Sequence, residues 1–274
     1  MDTIRKDKLK NIILNVVIAL GVVLAVYPFL SQWVNRRIAQ DVNQNFDEAV
    51  QAIAQPEVDR RLDLARAYNE TLDPRLMADP FDERQKEGKA EYARMLEVKE
   101  QIGYIRIPAI LTEVPIYAGT SELVLQKGAG HLEGTSLPVG GNHTHTVITA
   151  HRGLPSKQLF TDLPKLEVGD KFYLHNLGEV LCYQIDQILT VEPNDFSRVL
   201  VVPGHDYATL LTCTPYMLNT HRLLVRGVRI DYVAAIEEKN IADRQVTQRY
   251  KILFIITLVA LIAVLIKRSR KRRE

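Results

Sequence analysis

Cys213, His151 and Arg222 each stand at the end of a run of strand-forming residues, where a side chain can reach solvent without leaving a rigid support. Cys213 closes the apolar run Leu210-Leu211-Thr212-Cys213-Thr214, and Pro215, which has no N–H for a ladder, stops a strand there. Arg222 opens the next run nine residues later, so an antiparallel return through residues 216–221 brings its guanidinium level with the sulfur. His151 follows Thr146-Val147-Ile148-Thr149-Ala150 and precedes Arg152-Gly153. A thiolate, a proton donor for a departing amine and a donor for a tetrahedral oxyanion are the groups acyl transfer needs. Taken singly they have plainer readings: a small buried hydrophobe, a surface or capping histidine and a surface cation. Their types alone specify no reaction.

The elements that must position them are short segments rich in Val, Ile, Tyr and Thr, punctuated by Gly and Pro. Strands are expected at 103–107, 114–117, 146–150, 171–175, 180–189, 209–214 and 223–230, and seven or eight of them imply a mainly β closed barrel or sandwich. Residues 123–127 and 157–163 read as short helices or turns between strands. Upstream, Ile38, Val42, Phe46, Ala49, Val50 and Ile53 recur at steps of three and four, the mark of a helix with one apolar face. Pro56 interrupts it; further helices are expected at 58–72 and 83–99, separated by a loop carrying Asp73-Pro74 and Asp79-Pro80-Phe81.

The termini indicate where such chemistry takes place. Residues 12–30 are apolar apart from Asn15, and about 19 residues of helix span roughly 28 Å, close to the hydrocarbon thickness of a bilayer. Arg5, Lys6, Lys8 and Lys10 precede that stretch and favour a cytoplasmic N-terminus; no small-x-small cleavage site follows, so an uncleaved signal anchor is expected. Residues 252–266 form a shorter apolar stretch, which a buried helix would also explain, but the basic run 267–273 behind it is a cytoplasmic stop signal. Two spans with both basic ends inside put residues 31–249 outside the cell. The C-terminal basic run can also hold anionic membrane lipid.

Composition excludes several other classes. The 274 residues are 46% hydrophobic and 25% charged, ordinary for a globular chain, and the net charge of +2 comes from basic termini balanced by interior carboxylates. No basic stripe for nucleic acid follows from that pattern. Two cysteines, Cys182 and Cys213, allow neither a disulfide framework nor a four-cysteine zinc site. His143 and His145 alternate and could share a metal on one strand face, but no third ligand has suitable spacing, and a polar loop explains them as well. His131, His175, His205 and His221 are scattered and read as surface residues. No cofactor or metal is expected.

Three blocks, Thr149-Ala150-His151-Arg152-Gly153, Thr209 to Tyr216 and Asn219 to Gly227, resemble the signature blocks of sortases, in that family's order. The likeness covers roughly residues 100–232, and the preceding helical region with two membrane segments is similar to class C, the pilin-polymerising branch of Gram-positive bacteria. The resemblance implies a sortase-type β-barrel with N-terminal helices, with Cys213 as nucleophile, His151 as proton donor, and Arg222 with the backbone N–H of Thr214 holding the oxyanion. Asp79-Pro80-Phe81 is similar to that branch's lid, which here would set Asp79 against Arg222 and Phe81 over Cys213. The implied reaction cleaves a Leu-Pro-x-Thr-Gly type sorting signal between Thr and Gly and joins the acyl group to a Lys of another pilin subunit. The chain then divides into a cytoplasmic N-terminus (1–11), a signal anchor (12–30), an extracellular helical region with the lid (31–101), a catalytic barrel (102–232), a linker (233–251), a second transmembrane helix (252–266) and a cytoplasmic tail (267–274).

Three other readings stay open at this level. A sortase of another class would attach proteins to cell-wall peptide. A cysteine peptidase would resolve its acyl enzyme with water. A tethered, non-enzymatic barrel would pair Cys182 with Cys213 in a disulfide.

Overall fold

The period-two segments downstream of residue 100 close into a barrel in the computed structural model, which describes residues 2–72, 81, 90–154 and 157–234 and four single positions (239, 242, 246 and 257). Its strands are β1 (Gln101–Ile107), β2 (Thr112–Ala118), β3 (Ala129–His131), β4 (Thr144–Thr149), β5 (Lys171–His175), β6 (Val180–Val191), β7 (Asp206–Thr214) and β8 (His221–Ile230). They are joined in the order β1-β2-β3-β4-β7-β8-β6-β5, and β5 pairs with β1 to complete the ring. Most neighbours are antiparallel, but β2 with β3 and β4 with β7 are parallel. The expected mainly β closed barrel is therefore what forms, with eight strands among the described residues.

Alternation along each strand separates two faces. Ile148, Ala150, Ala208, Leu210, Leu223 and Val225 belong to the main core, together with Ile105, Ile116, Phe172 and Tyr183 from the other strands. Their neighbours of opposite parity, Val147, Leu211 and Leu224, build a second apolar cluster with Leu132 and Val199 on the other face of the same three strands.

Helices brace the barrel from its N-terminal side. Helix α1 (Asp2–Gln51) is continuous, and its C-terminal part docks on β1 and β2: Phe46 is fully buried and meets Tyr104 edge-on at 6.3 Å, while Tyr104 donates to Asp47 at 3.0 Å and Asn43 to Glu113 at 3.1 Å. The apolar stripe expected at 38–53 is thus the docking face, although Ile38 stays exposed. Helix α2 (Gln55–Glu70) carries Pro56 in its first turn, where the missing N–H costs nothing, and buries Val58, Leu62 and Ala65. Of the helix expected at 83–99, the described part is a 3₁₀ helix at Ala90–Leu96 followed by non-helical residues 97–99, and residues 82–89 lie outside the described residues. Residues 123–127 belong to α3 (Glu122–Lys127), whereas 157–163 forms turns that lead into a 3₁₀ helix at Leu163–Lys165.

Residues 12–30 fall within α1, and residues 252–266 lie, position 257 apart, outside the described residues. Among the described residues no helix is long and apolar enough to cross a membrane. The two spans therefore rest on the sequence.

Two sequence expectations need correction. His131 and His175 are not free surface residues: His131 is fully buried, with Nε2–H donating to Ser136 O at 2.8 Å and Nδ1 accepting from Tyr92 OH at 2.7 Å, and His175 is half-buried and stacks on Tyr104 at 4.2 Å. Neutral rings are favoured there, since burial holds the His131 pKa down at about 4 and that of His175 at about 3. Local sequence could not reveal partners that lie as far away as Tyr92 and Tyr104. The disulfide of the non-enzymatic reading does not form either. Both cysteines are thiols, and they face Ile230 and Arg222 at opposite ends of the β8 ladder, about 27 Å apart at 3.4 Å per residue.

Candidate active site

Strand register brings His151, Cys213 and Arg222 to one level. Cys213 is directly opposite Arg222 in the antiparallel β7–β8 pair. Strand β4 runs parallel to β7 with Thr149 beside Leu211, so two residues further along lie His151 and Cys213. The ladder continues toward them through Ala150 N–H to Leu211 O at 3.2 Å, and Thr212 Oγ1 ties Ala150 O at 2.8 Å. Parity then sets the face: His151 follows Val147, Cys213 follows Leu211 and Arg222 precedes Leu224 at even spacings, so all three belong to the side of the second apolar cluster. Neighbouring strands are about 4.8 Å apart, which puts three reactive side chains side by side at the end of one apolar floor.

Each is held by its surroundings. Arg222 is 7% exposed, and its Nη1 donates to Asn219 O at 3.0 Å and His221 O at 3.1 Å, so the turn before β8 fixes the guanidinium. Cys213 is 5% exposed. The loop after His151 is tied to the strand end that carries Cys213: Arg152 Nη1 donates to Thr214 Oγ1 at 3.0 Å, and its guanidinium lies over Tyr216 at 5.7 Å. Gly153 has φ +99°, and a Cβ there would come within 3.1 Å of the Tyr216 ring, so both backbone freedom and the close approach favour glycine.

Phe81 covers the group. Its ring centroid is 5.6 Å from that of His151 and 5.1 Å from the Arg222 guanidinium carbon, and the side chain packs on the second cluster. Phe81, expected over Cys213, has ring contacts with His151 and Arg222, the residues on either side of that thiol in the strand order. Asp79 and Pro80 lie outside the described residues. On one side of this segment, Asn69 at the end of α2 both accepts from Leu137 N at 2.7 Å and donates to Leu137 O at 3.2 Å. On the other, Tyr92 in the 3₁₀ helix reaches His131.

One neighbour escaped the sequence reading. Glu122, the first residue of α3, puts Oε2 3.3 Å from His151 Nε2. Nothing local announces this, because an acidic residue behind the Ser121 N-cap is an ordinary helix start.

His143 and His145 do not converge on a metal. Both His145 nitrogens are taken, Nδ1 by Leu200 O at 2.9 Å and Nε2 by Thr209 Oγ1 at 2.7 Å, while His143 Nδ1 accepts from Gly204 N at 3.0 Å. Among the described residues no group of three or more His, Cys, Asp or Glu side chains could hold a metal ion.

Comparison with known proteins agrees with this geometry. Residues 105–230 match the family model of the sortase domain. Sortase A of Bacillus anthracis is 30% identical over 132 residues, which make up 48% of this chain and 61% of that protein, so the match spans less than two thirds of its length. Among solved structures, sortase C-1 from Streptococcus pneumoniae is 58% identical with a TM-score of 0.69, covering 70% of this chain and all of that one (100%). The pilus-related sortase C of Group B Streptococcus is 60% identical with a TM-score of 0.67, covering 69% and 97% of the two chains. This chain belongs to the sortase family, whose members are cysteine transpeptidases.

Proposed function

We propose that this chain is a class C sortase, a cysteine transpeptidase that joins pilin subunits on the outer face of the membrane. The observation that carries the reading is the shared level and shared face of His151, just beyond the end of β4, with Cys213 and Arg222 on the adjacent strands β7 and β8. The class follows from the likeness to pilus-related sortase C and from an aromatic lid residue, Phe81, over two of the three groups.

In this reading the Cys213 thiolate attacks the Thr carbonyl of a Leu-Pro-x-Thr-Gly type signal bound along the floor of Val147, Leu211 and Leu224. The oxyanion is held by the Arg222 guanidinium, a permanently charged planar fork, together with the backbone N–H of Thr214. As the C–N bond breaks, His151 as imidazolium gives its proton to the departing glycine amine and a thioacyl enzyme remains. A Lys amine of a second pilin then attacks the thioester, loses a proton to His151 and releases Cys213, leaving an isopeptide bond. No metal or cofactor enters these steps.

Location supplies the substrates. With residues 12–30 and 252–266 as spans and both basic ends in the cytoplasm, the barrel faces the exterior, where pilins are assembled. The test is to incubate the full chain, in detergent or lipid nanodiscs, and its Cys213→Ala variant with a pilin that carries both a sorting signal and an acceptor Lys. Covalent pilin ladders are expected with the intact chain alone. Soluble, cleaved pilin without ladders would identify a peptidase instead and reject the reading.

A further inference from the structure

Among the described residues Glu122 is a carboxylate that meets His151 from a separate element, and its own placement is built in several ways. Its Oε2 lies 3.3 Å from His151 Nε2, a nitrogen shut off from solvent for which the aligned geometry of a hydrogen bond is lacking. The other oxygen, Oε1, accepts from Gln126 Nε2 at 2.9 Å, which favours this orientation of a carboxylate that is otherwise 43% exposed. Helix α3 is in turn fixed at both ends. Ser121 Oγ accepts from Val124 N at 3.4 Å, and Lys157 Nζ caps the carbonyls of Gln126 and Lys127 at 2.7 and 3.0 Å. Leu125 is fully buried beneath it. Gly130 of β3 leaves the space for this packing, since a Cβ there would meet Leu125 Cδ2 and Val124 Cγ1 at 3.2 Å and Gly119 O at 2.2 Å.

The charged and titratable groups on the elements around His151 are Glu122 on α3, Cys213 on β7, Arg222 on β8, and Arg152 beside it in sequence. Among the described residues Glu122 is the one carboxylate in that set, facing a ring flanked by two arginines. A carboxylate on one ring nitrogen fixes tautomer and orientation and stabilises the imidazolium, leaving the other nitrogen for chemistry.

We propose that Glu122 is a positioning residue for His151: its carboxylate lies against the Nε2 edge, fixes the ring's orientation and stabilises the imidazolium that the reaction forms, so that Nδ1 serves the thiol and the departing amine. The proposal rests on the transpeptidase reading above and deepens it, because an active form that pairs thiolate with imidazolium is more populated when a third group favours the cation.

The test uses the full chain with Glu122→Gln, which keeps size and hydrogen bonding but removes the charge, and Glu122→Asp, which keeps the charge on a shorter arm. Two profiles are recorded against pH: kcat/KM for a sorting peptide, and the rate at which iodoacetamide alkylates Cys213. With Glu122→Gln, kcat/KM at neutral pH is expected to fall about tenfold, with KM altered less than about twofold; the alkaline limb of the kcat/KM profile is expected to move to lower pH by about one unit, and the rise of the alkylation rate to move to higher pH. Glu122→Asp recovers part of the rate and of the shift. Profiles of Glu122→Gln superimposable on those of the wild type would overturn the proposal, as would a loss of rate with no shift in either profile, which marks a structural role only. Should wild-type chain alkylate normally yet leave the peptide uncleaved, the transpeptidase reading falls, and the alkylation profile still decides the role of Glu122.

Discussion

Cys213 and Arg222 are direct partners across the β7–β8 ladder, so the spacing between sulfur and guanidinium is set by strand register and not by a loop. Backbone hydrogen bonds along both strands hold that register, and the Asn219 and His221 carbonyls orient the guanidinium further. Charge and geometry at Arg222 can therefore be separated experimentally.

Arg222→Lys keeps the positive charge but loses the planar fork. In the transpeptidase reading it should lower kcat/KM for a sorting peptide by about a hundredfold or more, on the order of 3 kcal/mol of transition-state stabilisation. Alkylation of Cys213 should change far less. A rate for the Lys variant within about twofold of wild type would show that the fork has no such duty.

Phe81 lies against both His151 and Arg222, and in the transpeptidase reading it gates the thiol between them. Phe81→Ala should speed the reaction of Cys213 with a small thiol reagent, and adding Asp79→Ala should not slow it again. Unchanged labelling kinetics in the single variant would reject gating by this ring.

The buried histidines make the fold sensitive to acid. Burial holds the folded pKa of His131 and of His145 at about 4, below the ordinary value of 6.5. As the pH falls from about 6.5 to 4, the unfolded chain takes up protons that the native chain refuses, so stability is full above that window and declines within it. The slope is about 1.4 kcal/mol per pH unit for each such histidine. Melting temperatures measured at pH 7.5 and 5 should drop toward acid, and His131→Gln should flatten the drop whatever it does to stability at pH 7.5. An equal drop in the variant would contradict the assignment.

Phe46 joins the helix that continues from the expected anchor to the barrel. Its replacement by Ala removes a fully buried ring and should cost about 3–5 kcal/mol, read as a lower denaturation midpoint. A shift under about 1 kcal/mol would mean that α1 is not docked through this residue.

The sequence was most readable where local pattern and tertiary role coincide. Seven strands announced themselves because runs such as residues 209–214 combine β-branched and apolar residues with a breaker at the end. Strand β3 did not: Ala129-Gly130-His131 has no period to read, and it becomes a strand through its parallel pairing with β2, its antiparallel pairing with β4 and the lack of a side chain at Gly130. The level of Cys213 with Arg222 followed from a nine-residue separation across a turn. Adjacency of His151 needed the parallel β4–β7 pairing, which no spacing reveals, and came instead from family likeness. Glu122 and Phe81 reach the site from 29 and 70 residues upstream of His151, and contacts at such separations depend on the whole barrel being closed.

The most direct test of the central claim is the intact mass of the full chain mixed with a Leu-Pro-x-Thr-Gly peptide and stopped early in acid. The mechanism predicts an adduct equal to the peptide fragment ending at Thr, mapped to Cys213 and released by hydroxylamine, with none on Cys213→Ala. Peptide cleaved equally well by the Cys213→Ala chain would contradict it.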